Sequence, residues 1–174
     1  FGVERWGRPS QLIEIEFDAI DGAEKNAQSI SSGRPTEEEF GYSRAVRGDE
    51  RLFIARTTAL KKDGTVAGPG DVYGQSQYAM ETIREILEEA GGTFGDLVYS
   101  KTFLTDMTQA SAHQRARMEA LGDVRPPLTL LGIPGVQFPE IMVEIETEAI
   151  IGSAQDRKII YTENQAEKAR GYAR

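Results

Sequence analysis

The chain repeats itself. Sliding the sequence by 130 residues lays positions 1–44 on 131–174 without a gap, and 13 of those 44 positions are identical. The matches run through Gly2, Pro9, Glu14, Ile15, Glu16, Ala19, Ile20, Gly22, Ile30, Glu37, Gly41, Tyr42 and Arg44. Average composition supplies about two or three identities in such an overlap by chance. A strand-like alternation shared by two segments would explain the common Glu-Ile-Glu run, but not the Gly-Tyr-x-Arg match 26 residues further on. A repeat period defines the fold unit before any local pattern is read. The chain therefore divides into the tail of one unit (1–25), a complete unit (26–152) and the head of another (153–174). This arrangement is expected of a segment of a longer tandem array, or of a protein whose ends lend strands to neighbouring copies. Phe1 in place of Met adds the expectation of processing or excerption.

Length and charge narrow the function. At 174 residues the chain can build one good core with appended segments, and is too short for two ordinary domains. Twenty basic against 28 acidic residues gives 20 − 28 = −8, without a compensating basic patch, so neither nucleic acid nor an anionic membrane is an expected partner. The absence of Cys removes disulfides, thiolate nucleophiles and zinc-thiolate sites, and the lone His113 cannot form a multi-histidine metal cluster. Neither metal nor cofactor is expected. No apolar run approaches the roughly 18 residues of a spanning helix, and residues 1–10 lack the order of a signal peptide. A cytoplasmic protein is the expectation.

Within the complete unit the periodicities switch cleanly. Residues 44–47 and 52–58, separated by Gly48-Asp49-Glu50, read as a β-hairpin. Residues 61–70 form a loop. Asp71 is a candidate N-cap for a helix in which Val72, Ser76, Ala79, Met80, Ile83, Ile86, Leu87 and Ala90 share one face, closed by Gly91-Gly92. A strand over 97–105 follows, then a helix capped by Thr108 and closed by Gly122, then strands over 128–133 and 141–151. The order β-β-β-α-β-α-β-β predicts an α+β fold, a mixed sheet with both helices on one face.

At these residues the chain resembles the RidA/YjgF family of enamine and imine deaminases. The resemblance rests on GYSRAV (41–46), LFIARTTAL (52–60), GPGDVYGQSQYAMETIREILEEAGG (68–92), VYSKTFLTDM (98–107), RPPLTLL (125–131) and MVEIETEAI (142–150). It implies a chorismate-mutase-like sheet that closes, in a homotrimer or pseudo-trimer of sister repeats, into a barrel with small-molecule clefts between subunits. It further implies that Tyr42 and Ser43 line the cleft and that Glu148 orients a water. The family's carboxylate-anchoring arginine falls on Leu128, followed by Thr129, and its strand glycine falls on Arg56. Leu128 cannot fork two hydrogen bonds to a carboxylate. Arg56 is thus expected either to relocate a guanidinium into the cleft or to fill a dead one. Strand parity puts it on the face of Leu52 and Ile54.

The remaining candidates read plainly. Glu144 and Glu146 alternate with apolar residues, as any half-exposed strand does. His113, within AHQRAR, is expected to be a solvated surface histidine, and the glycines of 64–70 lack phosphate-loop spacing. Two functions stand. One is hydrolysis of a small imine or enamine with release of ammonia, the cleft formed by Tyr42, Arg56 and Glu148. The other is a non-catalytic assembly or binding protein built from repeats. A variant of the first acts on an uncharged or cyclic substrate that needs no arginine anchor.

Overall fold

The computed structural model describes residues 17–162, 164–170, 172 and 173. The alternation of Ile13, Ile15, Phe17 and Ala19 predicts a strand over residues 12–20; most of it lies outside the described residues, and 17–20 are not in a strand.

Six strands form one mixed sheet. β1 is Gln28–Ile30, β2 Ala45–Gly48, β3 Arg51–Thr57, β4 Leu97–Leu104, β5 Leu128–Gly132 and β6 Val143–Ile150. They are ordered β1-β2-β3-β6-β4-β5, with only β4 and β5 parallel. The two long helices, α2 (Val72–Glu89) and α3 (Ala110–Leu121), pack on each other, and α2 lies on β3 and β6. A short helix α1 (Pro35–Glu39) precedes β2, and α4 (Gln165–Arg170) lies near the C-terminus.

The α+β prediction holds, and local chemistry explains the element ends. Asp71 takes the N-cap position of α2. At the other end the Gly91 amide donates to Glu88 O and the Gly92 amide to Leu87 O, a Schellman pair that needs the left-handed φ of 79° at Gly91. Alternation sends Val143, Ile145, Thr147 and Ala149 of β6 under the helices, leaving Glu144, Glu146 and Glu148 half-buried on the other face. The core is Leu52, Ile54, Ile83, Leu87, Leu104, Val143 and Ile145, with Ile30 joining it from β1.

Two local expectations change. Thr108 does not cap α3. Asp106 accepts from the Thr108 amide at 2.9 Å and opens a 3-10 turn at Met107–Gln109 ahead of the helix. His113 is fully buried, because it shares a helix face with Ala116, Arg117 and Leu121 at three-, four- and eight-residue spacing. Its Nδ1 lies 3.0 Å from Ser76 Oγ of α2.

Local conformations recur 130 residues apart. Gly22 and Gly152 both have left-handed φ, at 78° and 90°, and each precedes a 3-10 turn, Ala23–Lys25 or Ser153–Gln155. The Glu37 carboxylate accepts from the Ser32 amide at 2.9 Å and from the Ser32 hydroxyl; the Glu167 carboxylate accepts from the Thr162 amide at 2.8 Å and its hydroxyl at 2.5 Å. Tyr42 N donates to Glu37 O at 3.0 Å, and Tyr172 N to Glu167 O at 3.2 Å.

Candidate functional site

A β-bulge places the first functional side chain. Ile54 pairs with Thr147 and Thr57 with Ile145, so Ala55 and Arg56 together face the single residue Glu146 of β6. The extra residue reverses strand parity. Arg56 therefore lies on the side of the sheet opposite Leu52 and Ile54, correcting the parity expectation. Its guanidinium sits 4.3 Å from the Phe103 ring centroid, with Nε 3.4 Å from Glu146 Oε2 and Nη1 3.9 Å from Glu144 Oε2.

The second wall comes from α1 and the turn after it. Glu37 is enclosed, and its carboxylate is bound by Ser31 Oγ at 2.6 Å and by Arg44 Nε at 3.0 Å. Burial alone would raise its pKa, but the hydrogen bonds from Ser31, Ser32 and Arg44 outweigh it and hold the group below the usual carboxylate value. Arg44 spends its other nitrogens on the Arg56 carbonyl at 2.7 Å and the Tyr42 hydroxyl at 2.6 Å. The Tyr42 oxygen is also 3.1 Å from Thr36 Oγ1. Tyr42 is thus oriented by a buried ion pair.

Between these walls lies a cavity of about 120 Å³, lined by Thr36, Phe40, Tyr42, Arg44, Arg56, Thr58, Leu60, Val136, Gln137, Phe138, Ile141 and Glu144. Burial pushes the Glu144 carboxyl up, with the nearby Arg56 opposing the shift. A carboxyl of raised basicity in the same cavity as a tyrosine hydroxyl can exchange protons with a bound nitrogen or water. The cavity offers two cations, Arg44 and Arg56, and both are already engaged by carboxylates.

The predicted residues separate into three places. Tyr42 and Arg56 meet in the cavity, where their carboxylate is Glu144 rather than Glu148. Glu148 is four residues along β6, roughly 13 Å away, facing Phe53 and Tyr99 in register and 3.6 Å from Arg51 Nη2. With Ser43 it lines a separate groove of about 290 Å³. Leu128 and Thr129 sit on β5, opposite Ser100 and Lys101 of β4. That strand is three places from β3, roughly 14 Å at ordinary strand spacing.

Sequence reasoning missed Glu144 and Arg34. Glu144 was indistinguishable from Glu146 and Glu148 by alternation. Arg34 is buried at the start of α1, where Nη2 donates to Thr82 Oγ1 at 2.8 Å and Nη1 to Ser32 Oγ at 2.8 Å, tying the tyrosine wall to α2. Its position just before the Pro-Thr-Glu-Glu start of a helix was the available signal. Among the described residues there is no group of three or more potential metal ligands, and no helix long and apolar enough to cross a membrane.

Residues 34–151 match the family model described as Endoribonuclease L-PSP. The chain belongs to that family, the RidA/YjgF proteins. An uncharacterized Streptomyces coelicolor protein is 36% identical over 124 residues, 71% of this chain and 92% of the relative. Among solved structures, a YjgF/YER057c/UK114-family protein from Mycobacterium tuberculosis superposes with a TM-score of 0.66 at 29% identity, covering 72% of this chain and all of the other. RidA from an Antarctic Psychrobacter shares the fold, with a TM-score of 0.64 at 22% identity, covering 71% of this chain and 99% of that one.

Proposed function

We propose that the cavity between Tyr42, Arg56 and Glu144 hydrolyses a small imine, or an enamine through its imine tautomer, to a carbonyl compound and ammonia. The observation that carries this reading is the half-buried Glu144 carboxyl lining the same cavity as Tyr42. The protonated imine carbon is the electrophile. Water attacks it while a proton passes to Glu144, giving a carbinolamine; Glu144 then returns that proton to nitrogen and takes the hydroxyl proton as the C–N bond breaks, so that ammonia and the neutral carbonyl compound leave, and the protonated Glu144 is ready to protonate the next imine. Tyr42, fixed by Arg44, positions the substrate nitrogen or the water.

The preferred substrate lacks a carboxylate. Arg56 is shared by two glutamates and Leu128 cannot replace it, so an anionic group would find no open guanidinium. Small molecules, rather than the RNA suggested by the family's description, suit a chain of net charge −8 whose cleft cations are paired. Cytoplasmic residence is part of the same reading. The test is ammonia release from enzymatically generated imines, uncharged and carboxylated. Glu144→Gln is expected to lower turnover of the uncharged ones by about a hundredfold or more. Undiminished turnover refutes the assignment of Glu144.

The separation of Tyr42 from Leu128 favours clefts completed between chains, in a trimer or pseudo-trimer. Val46 and Leu131 stay about 40% exposed on a single chain, at the margins that such an assembly would cover. Light scattering that gives a stable monomer at micromolar concentration counts against this.

A second reading has its own observation. The turn at Gly22 and Gly152, the Ser32–Glu37 and Thr162–Glu167 contacts, and the turns from Glu37 to Tyr42 and from Glu167 to Tyr172 support a tandem array with a period of 130, in which 26–152 is one complete unit and the assembly itself is the function. Absence of ammonia release from both substrate classes, with oligomers intact, favours that reading.

A further inference from the structure

Gln75 is a polar residue on the inward face of α2, three positions after Val72, and it is fully buried. An amide enclosed there has to find partners for the N–H and C=O groups it carries. It finds them on two chain segments that border the cavity. Its Nε2 donates to Gly68 O at 3.2 Å and to Glu140 O at 2.7 Å, and its Oε1 accepts from the Met142 amide at 2.8 Å. Two carbonyls and one N–H as partners admit a single orientation of the amide. Gly68 belongs to the segment from β3 to α2, which begins with Thr58 and Leu60 of the cavity. Glu140 and Met142 close the segment from β5 to β6, which supplies Val136, Phe138 and Ile141.

The two segments depend on Gln75 to different degrees. The first has ties of its own, from the Ala67 amide to Ala59 O and from the Lys61 amide to Thr65 O, each at 2.8 Å. In the second, the Ile133 amide donates to Leu104 O at 2.9 Å at the start, and the Ile141 amide donates to Phe138 O at 3.0 Å in a corner near the end. Gln75 fastens that corner to α2 through Glu140 and Met142. Glu144 is placed by a different device. The Met142 carbonyl accepts from the Thr105 amide at 3.1 Å, and Val143 and Glu144 pair with Leu104 and Phe103 of β4. The ladder that carries the carboxylate therefore holds without Gln75.

Resting on the imine reading of this cavity, we infer that Gln75 is a positioning residue: through the Glu140–Met142 corner it fixes the apolar wall of Val136, Phe138 and Ile141 against the body of the substrate, and so governs KM rather than kcat. A wall that touches the non-reacting body meets ground state and transition state alike, so loosening it weakens both equally. Proton transfer at Glu144 is unaffected.

The test separates the clamp from the chemistry. Gln75→Met keeps the length of the side chain and removes all three hydrogen bonds. The Ile141 and Met142 amides are expected to lose about tenfold or more of their protection from hydrogen exchange, measured against the β6 amides. KM for an uncharged imine is expected to rise by about tenfold, with kcat within about twofold. Ile83→Val, a core loss on the same helix, is expected to move neither. Equal changes in both variants overturn the inference, as does unchanged protection in Gln75→Met or a fall in kcat at constant KM. Gln75→Glu serves where Gln75→Met does not fold. Its carboxyl can donate to Glu140 O only while protonated, so the Ile141 amide is expected to lose protection relative to β6 as pH rises from about 5 to 9. The intact protein is expected to show no such trend, and a variant without it overturns the inference. Failure of ammonia release in the intact protein refutes the imine reading, while the exchange measurements still decide whether Gln75 holds the wall.

Discussion

Arg44 Nε and Glu37 Oε1 lie 3.0 Å apart in a pair that is almost wholly enclosed, and that pair sets the position of the Tyr42 hydroxyl. A buried ion pair contributes modestly to stability when whole, but removing one partner strands the other charge. Glu37→Ala is therefore expected to cost about 3 to 5 kcal/mol. Chemical denaturation measures it. Tyr42→Phe removes a hydroxyl and leaves the pair intact, so its cost is expected to stay near 1 kcal/mol. A similar loss in both variants would show that the pair does not organise the wall.

His113 makes stability depend on acid. Burial, with Arg117 adding like-charge repulsion, holds its pKa down to about 4 from the ordinary 6.5. The unfolded chain therefore binds the proton first, and stability present above pH 6.5 declines as pH falls toward 4. The full contribution is on the order of 3 kcal/mol. His113→Asn is expected to remove the part of the pH dependence between 6.5 and 4, whatever its effect at pH 7. Urea midpoints across that range provide the check.

The glycine after α2 is a stability element independent of the cleft. Gly91 holds a φ of 79°, and no heavy atom approaches its ideal Cβ position more closely than Arg47 Nη1 at 3.8 Å. Gly91→Ala thus meets no clash, and its expected cost of about 1 kcal/mol comes from the left-handed backbone alone. Thermal unfolding tests this. Unchanged stability would mean that the Schellman turn has relaxed to another ending.

Periodicity made the helices and the sheet legible, because apolar spacing of 3.6 or 2 survives in α2, β4 and β6 whatever else those elements do. The hairpin, the glycine stop after α2 and the paired closing strands follow from the same local rules. Arg56 shows where such rules stop. Its side of the sheet depends on a bulge fixed by the pairing of Ile54 and Thr57 with β6, a tertiary fact with no local sign. His113 shows a different failure. Its spacing from Ala116 and Leu121 already placed it on the buried face, and only its polarity argued otherwise. The choice among Glu144, Glu146 and Glu148 needed the cavity itself, since alternation treats all three alike.

Glu144 is expected to affect catalysis and ligand choice in opposite directions. It shares Arg56 with Glu146, so the charge that would serve as proton carrier also helps to neutralise a cavity guanidinium that could hold a carboxylate. Glu144→Gln keeps the shape of the side chain and removes its charge. Turnover of an uncharged imine is then expected to fall by about a hundredfold or more, because the amide cannot accept the proton from water. Inhibition by propionate is expected to strengthen by about tenfold, because Arg56 loses the Glu144 counter-charge at a partly exposed cavity wall. Arg56→Gly should remove that gain. Steady-state kinetics with propionate as inhibitor separates the two effects. A variant that loses turnover without gaining affinity for propionate would show that Glu146 alone neutralises Arg56, and that the cleft's preference for uncharged ligands is set elsewhere.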